Sequence, residues 1–175
     1  MEHILFEYEE SLAIQTVWKE VRTIWSRREE LWPESVRLGT VLGSGLITFE
    51  TDEDGRSKRI DAGKTRLFRI LITEAAHLIW KIRCERVIQR ENDPEKIHTQ
   101  LEIEGKWRNA INTRLKMDKL QTDKKRYGKR ALQEKMVLQT WSGVLENEDN
   151  LPDNWIRTAG VLVGSNPRRP RGRNR

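Results

Sequence analysis

The sequence holds one cysteine, Cys84, so no disulfide can form within the chain, and no run approaches the roughly 18 consecutive apolar residues that a membrane-spanning helix needs. The opening MEHILFEYEE is acidic, which argues against a secretory signal or an arginine-rich transit peptide. These absences predict an intracellular, reducing location, nuclear or cytoplasmic and not secreted, with no membrane partner. Histidine is scarce, with three in the chain. No serine, histidine and acid cluster is readable, and no carboxylates fall on alternating strands as metal-dependent nucleases arrange them. The expectation is no enzyme, no cofactor and no small-molecule substrate.

What the chain does have is charge and bulk. Its 175 residues suffice for one core, and although hydrophobic residues make up only 36%, seven tryptophans add volume to bury. A single domain over 1–164 and a tail over 165–175 are expected. The net charge of +6 is uneven: residues 1–34 hold eight acidic and four basic side chains, whereas Lys106 to Lys135 hold eleven basic and three acidic. Five arginines follow between Arg168 and Arg175. An acidic front and a basic back point to a polyanionic partner for the back half.

Periodicity gives the elements. From Ser11 to Trp32, Ile14, Val17, Trp18, Val21, Ile24, Trp25, Leu31 and Trp32 recur every three or four residues opposite Lys19, Glu20, Arg27 and Glu29, predicting a first helix ended by Pro33. A short helix near 36–42 precedes a loop rich in Asp and Gly. Between Lys64 and Glu91 the stripe Leu67, Ile70, Leu71, Ala75, Leu78, Ile79, Ile82 and Val87 is widened by Phe68, Ile72, Ala76 and Trp80, as suits a central helix packed between neighbours. Asp93-Pro94 then reads as a cap and first helical position for a third helix carrying Ile97, Leu101, Trp107, Ile111 and Leu115. A basic link over Gln121–Gly128 leads to a fourth helix with Leu132, Met136, Val137, Trp141 and Leu145, and IRTAGVLVG reads as a last helical turn or an edge strand. The sum is an all-α bundle of about four to five helices, an irregular loop near 43–63 and a disordered Arg-rich tail.

Several motifs invite a chemical reading. Gly63-Lys64-Thr65 imitates the end of a phosphate-binding loop, but Lys58 stands where its first glycine belongs, and the first turn of the central helix is the simpler account. Glu50, Asp52, Asp54, Gly55 and Asp61 approach a calcium loop with both terminal ligands altered, which favours an acidic surface turn. His77 and Cys84, seven residues apart on a helix, stand about 10 Å from each other, too far for one zinc ion, so packing roles are expected for them and for His98. The run Lys124, Lys125, Arg126, Tyr127, Gly128, Lys129, Arg130 fits either a solvated link or a contact with a phosphate backbone, on which Tyr127 would stack a base. Arg168, Arg169, Arg171 and Arg173 in the tail share that reading, with a nuclear targeting signal as a third.

The opening Glu2-His3-Ile4-Leu5-Phe6-Glu7-Tyr8 resembles the end of the zinc-binding domain downstream of reverse transcriptase in non-LTR retrotransposon polyproteins, where an EH-x-LF-x-C context supplies a histidine and a cysteine ligand. His3 matches the histidine, Tyr8 stands at the cysteine, and the preceding cysteine pair would fall before Met1. The resemblance therefore implies a degenerate site with His3 alone retained and no bound metal. His77 to Val87 is similar to the family's LIWK-x-RNE-x-V helix, and Lys106-Trp107-Arg108 with the KRYGKRAL, TWSGVL and LPDNWI stretches is similar to C-terminal parts of elements carrying ribonuclease H. Across most of residues 1–164 it implies a truncated helical piece lacking polymerase and nuclease. Three expectations follow: a noncatalytic module binding RNA or DNA, a helical protein-interaction domain whose acidic first helix and tryptophan stripe packed on the rest of the polyprotein, or a translated relic without function.

Overall fold

The computed structural model of the chain describes residues 5, 11–28, 32, 36–51 and 59–164. Six helices occur among them: α1 (Leu12–Trp25), α2 (Leu38–Leu42), α3 (Ala62–Cys84), α4 (Gln100–Gln121), α5 (Lys124–Tyr127) and α6 (Glu134–Trp141). The bundle is all-α, with α3 packed against α1, α4 and α6, and α1 also against α4. No helix among the described residues is long and apolar enough to cross a membrane.

The first helix buries the expected face, Ile14, Val17, Trp18, Val21, Ile24 and Trp25, but stops at Trp25 rather than Trp32. The reason is tertiary. Arg27 donates to the Leu145 carbonyl at 2.8 Å, and Arg28 donates to the carbonyls of Gln139 and Thr140 at 2.8 and 3.2 Å, so the chain leaves α1 where these guanidinium groups can bond α6 and the segment beyond it. Trp18 Nε1 donates to the carbonyl of the buried Leu5, which places part of the opening segment in the core.

The segment expected as an irregular loop contains a small antiparallel hairpin, β1 (Glu50–Thr51) on β2 (Arg59–Ile60). Phe49, just before it, joins Trp25, Trp32 and Phe68 in a cluster with ring centroids 5.1 to 5.9 Å apart. Asp61 then caps α3 by accepting from the Lys64 N–H at 2.7 Å, and it also pairs with Arg28 at 3.2 Å. Gly63 sits so close to α6 that a Cβ would lie 2.5 Å from the Gln139 carbonyl oxygen, and the Thr65 hydroxyl accepts from the Phe49 N–H. Asp61, Gly63 and Thr65 thus serve capping and packing, and the Lys64 ammonium lies 5.2 Å from the Phe49 ring centre. Asp52, Asp54 and Gly55 of the calcium-like run lie outside the described residues.

Along α3 the central stripe is buried as expected, from Leu67 to Ile82, but Trp80 is 48% exposed and Val87 is 51% exposed. The helix ends at Cys84 in a π-helical turn, Glu85–Gln89, closed by the Arg90 N–H on the Glu85 carbonyl. Val87 and Ile88 lie within that turn and are exposed, past Ile82, the last buried position of the stripe.

The third long helix begins six residues later than Asp93-Pro94 suggests. Pro94–Lys96 form only a 3-10 turn, Ile97 is extended, and Thr99 with Glu102 makes a reciprocal capping box that starts α4. Restarting there sets a new phase: Ile103, Trp107, Ile111 and Leu115 point inward, while Ile97 and Leu101 are exposed. Asp118 continues the inward face. Fully buried, it accepts from both terminal nitrogens of Arg66 at 2.6 and 2.8 Å and from Trp141 Nε1 at 2.9 Å, joining α3, α4 and α6.

The fourth predicted helix is α6, shorter than its apolar pattern. Leu145 is buried beyond it, bridged antiparallel to Val163, with Glu146 donating to Leu162 and Gly164 to Val144. Of the two readings of IRTAGVLVG, the extended one holds at Val163.

Candidate nucleic-acid interface

Between α4 and α6 the chain makes a ten-residue loop, 122–131, whose base is closed by the Leu132 N–H on the Gln121 carbonyl at 2.9 Å. Asp123 opens it as the cap of α5, accepting from the N–H groups of Lys125 and Arg126. The Tyr127 N–H returns to the Asp123 carbonyl, and Gly128 at φ 55° turns the chain into a 3-10 turn over Gly128–Arg130. A left-handed residue there suits glycine, which has no Cβ to clash. The expected link is therefore a structured loop.

All of Lys124, Lys125, Arg126, Tyr127, Lys129 and Arg130 are exposed. Among the described residues none of the five cations has an acidic partner. The three acids of Lys106–Lys135 are engaged elsewhere: Asp118 is buried on Arg66, Asp123 caps α5, and Glu134 pairs with Arg157 at 3.7 Å and accepts from Asn154. The Arg126 guanidinium lies 5.6 Å from the Tyr127 ring centre, which leaves a cation and an aromatic face side by side. Arg168, Arg169, Arg171 and Arg173 lie outside the described residues, as do His3 and Tyr8.

No family model, no curated protein and no solved structure matches this chain. Its chemistry is read from its own residues.

A second polar feature, without a local cue in the sequence, runs between α3 and α4. The two helices are antiparallel, because Arg66 and Asp118 meet at one end and Glu85 and Lys106 at the other. Between them lies a groove of about 340 Å³, lined on one side by Glu74, His77, Leu78, Lys81 and Glu85 and on the other by residues from Lys106 to Met117. Helical spacing of i, i+3, i+4 and i+7 puts these on facing stripes, a signal visible only once the two helices are known to be neighbours. At the Glu85 end, that carboxylate accepts from Lys106 at 2.7 Å and bonds the buried His98 at 3.1 Å. Lys106 chiefly, and His98 after it, hold its pKa below the usual carboxylate value against the opposing effect of burial. His98 has the expected packing role; His77 does not, being exposed on the groove, and Cys84 is half-buried. Among the described residues no group of three or more His, Cys, Asp or Glu is placed to hold a metal ion.

Proposed function

We propose that the chain is a noncatalytic nucleic-acid-binding module, a remnant of the region C-terminal to the polymerase and nuclease of a non-LTR retrotransposon polyprotein. One observation carries it: five exposed cations on a closed, capped loop without acidic partners among the described residues. Such a loop presents charge already ordered, so a phosphate backbone pays little ordering cost and releases its condensed counterions on contact. Tyr127 adds a face on which a base stacks.

The test is fluorescence anisotropy with labelled RNA and DNA, single- and double-stranded, over a salt series. Five phosphate contacts give a log–log slope of about −4.5, or about 500-fold weaker binding from about 50 to about 200 mM salt, and the tail arginines raise this toward about 10⁵-fold. Deleting residues 166–175 and changing the five loop cations to Gln lower the slope in two separate steps, with the melting temperature unchanged. Absence of binding at about 50 mM, or binding indifferent to both changes, overturns the proposal.

A protein-interaction domain is the second reading, favoured by the exposed Trp80, Val87, Ile88, Ile97 and Leu101 at the α3–α4 junction. The tryptophan stripe of α1 does not serve it, because Trp18 and Trp25 are buried in the chain's own core.

A further inference from the structure

The loop is reached directly from the groove. Along α4 the groove stripe Lys106, Asn109, Ala110, Thr113, Arg114 and Met117 continues at the same spacing to Leu120, and two residues, Thr122 and Asp123, separate the end of α4 from Lys124. Met117 and Leu120 are half-exposed, large apolar side chains on an otherwise charged surface, and Tyr127 follows them. The surface thus alternates cations with faces suited to bases: Lys81 at one end of the groove beside the Glu85–Lys106 pair, Ala110 on its lining, Arg114 with its Nε 3.5 Å from the buried Asp118 carboxylate, then Met117 and Leu120, then the loop.

Resting on the nucleic-acid reading above, we infer that this track, the α3–α4 groove followed by the 124–130 loop, takes a single strand and discriminates against duplex. A duplex hides its bases and can use only the cations, whereas a single strand offers phosphates to Lys81, Arg114 and the loop and bases to the apolar faces and the exposed His77 ring. Lys81 forms no ion pair with a described residue, and Asn109 and Thr113 are exposed hydrogen-bonding groups suited to base edges. Glu74 is the opposing charge on the groove, at the Arg114 end, and Asp118, already paired with Arg66, lies 3.5 Å from Arg114 Nε; Glu85 is neutralised by Lys106. From Lys106 to Gln121 α4 runs fifteen residue steps, about 22 Å of helix, and Lys124 lies within about 11 Å of Gln121 along the chain. At about 3.4 Å per stacked nucleotide the track as far as Lys124 holds about ten nucleotides.

The experiment uses the full chain with labelled oligothymidine and oligouridine of about four to sixteen nucleotides and a duplex of about sixteen base pairs, at one fixed salt concentration. Affinity is expected to rise steeply to about ten nucleotides and then level, and the single strand to bind roughly tenfold tighter than the duplex. Thr113→Trp, which fills the groove from an exposed position, should weaken single-strand binding roughly fivefold or more while leaving duplex binding and the circular dichroism melt unchanged, and Lys81→Glu, which reverses a groove charge, should weaken single-strand binding more than duplex binding with the melt unchanged. Polyglutamate of equal charge should compete poorly. Equal affinity for single strand and duplex, indifference to both groove variants, or equal competition by polyglutamate overturns the inference while the basic-loop reading stands. If no oligonucleotide binds even at low salt, the underlying reading fails and this one with it.

Discussion

Asp118 offers the sharpest test of how this bundle is held. Its side chain is 0% exposed, accepts two hydrogen bonds from Arg66 and one from Trp141, and lies 3.5 Å from Arg114 Nε, so Asp118→Leu leaves two guanidinium groups and a buried indole N–H without their acidic partner. Breaking a buried ion pair by removing one partner costs about 3–5 kcal/mol. Arg66 keeps 20% of its side chain in solvent and can turn part of its charge to water, which places the expected loss near the lower end, about 3 kcal/mol. For a domain of this size that lowers the melting temperature by roughly 6–12 °C, a large share of a total stability of about 5–15 kcal/mol. Arg66→Met alone should also destabilise, whereas the double variant Arg66→Met/Asp118→Leu should recover part of the loss, because it strands neither the Arg66 nor the Asp118 charge and leaves only the Trp141 N–H and the part-exposed Arg114 without Asp118. The measurement is urea unfolding followed by circular dichroism on all four proteins, with the coupling taken from the cycle. A loss under about 1 kcal/mol for Asp118→Leu, or a double variant equal to the sum of the singles, refutes the role given to this pair.

Leu71→Ala or Ile79→Ala should cost about 2–5 kcal/mol, as both side chains are buried on α3, and a loss under about 0.5 kcal/mol for both in denaturant titrations would remove α3 from the centre of the bundle. The lowered pKa of Glu85 makes its contribution fully present above the ordinary value of 4.5 and lost as pH falls through the lower folded value, so Glu85→Gln should destabilise at neutral pH and flatten the acid side of the stability profile. Glu20 behaves oppositely: burial chiefly, with repulsion from Glu104, raises its pKa, so it costs stability once ionised. Glu20→Gln should therefore stabilise at neutral pH and lose that advantage as pH falls from the raised folded value to the ordinary value of 4.5, read by thermal melts across pH.

Where periodicity was long and unbroken, the sequence told the structure. The inward residues of α1 and α3, Val17, Val21, Ile24, Leu67, Leu71 and Ile79, follow from three- and four-residue spacing, because a helix of 14 or 23 residues has one face that must leave water whatever it packs on. The exposed, cationic character of 124–130 was legible for the same reason: five charges in seven residues have no apolar face to bury. One miss had a local cue. Thr99-x-x-Glu102 is a capping box in plain text, yet Asp93-Pro94 suggested an earlier start and put Ile97 and Leu101 on the wrong side.

The remaining features had no local cue, because they depend on which surfaces meet. The end of α1 at Trp25 depends on carbonyls of residues 139, 140 and 145, more than a hundred positions away. Asp118 reads as one more surface charge until α3 and α6 bring Arg66 and Trp141 to it, and the Glu85–His98–Lys106 cluster exists only because α3 and α4 run antiparallel. Gly63 looks like part of a phosphate loop until Gln139 occupies the space of its missing Cβ. Helical period is a property of consecutive residues and survives in any surroundings. Burial of a charge and the space beside a glycine are set by residues distant in sequence, so only the assembled bundle decides them.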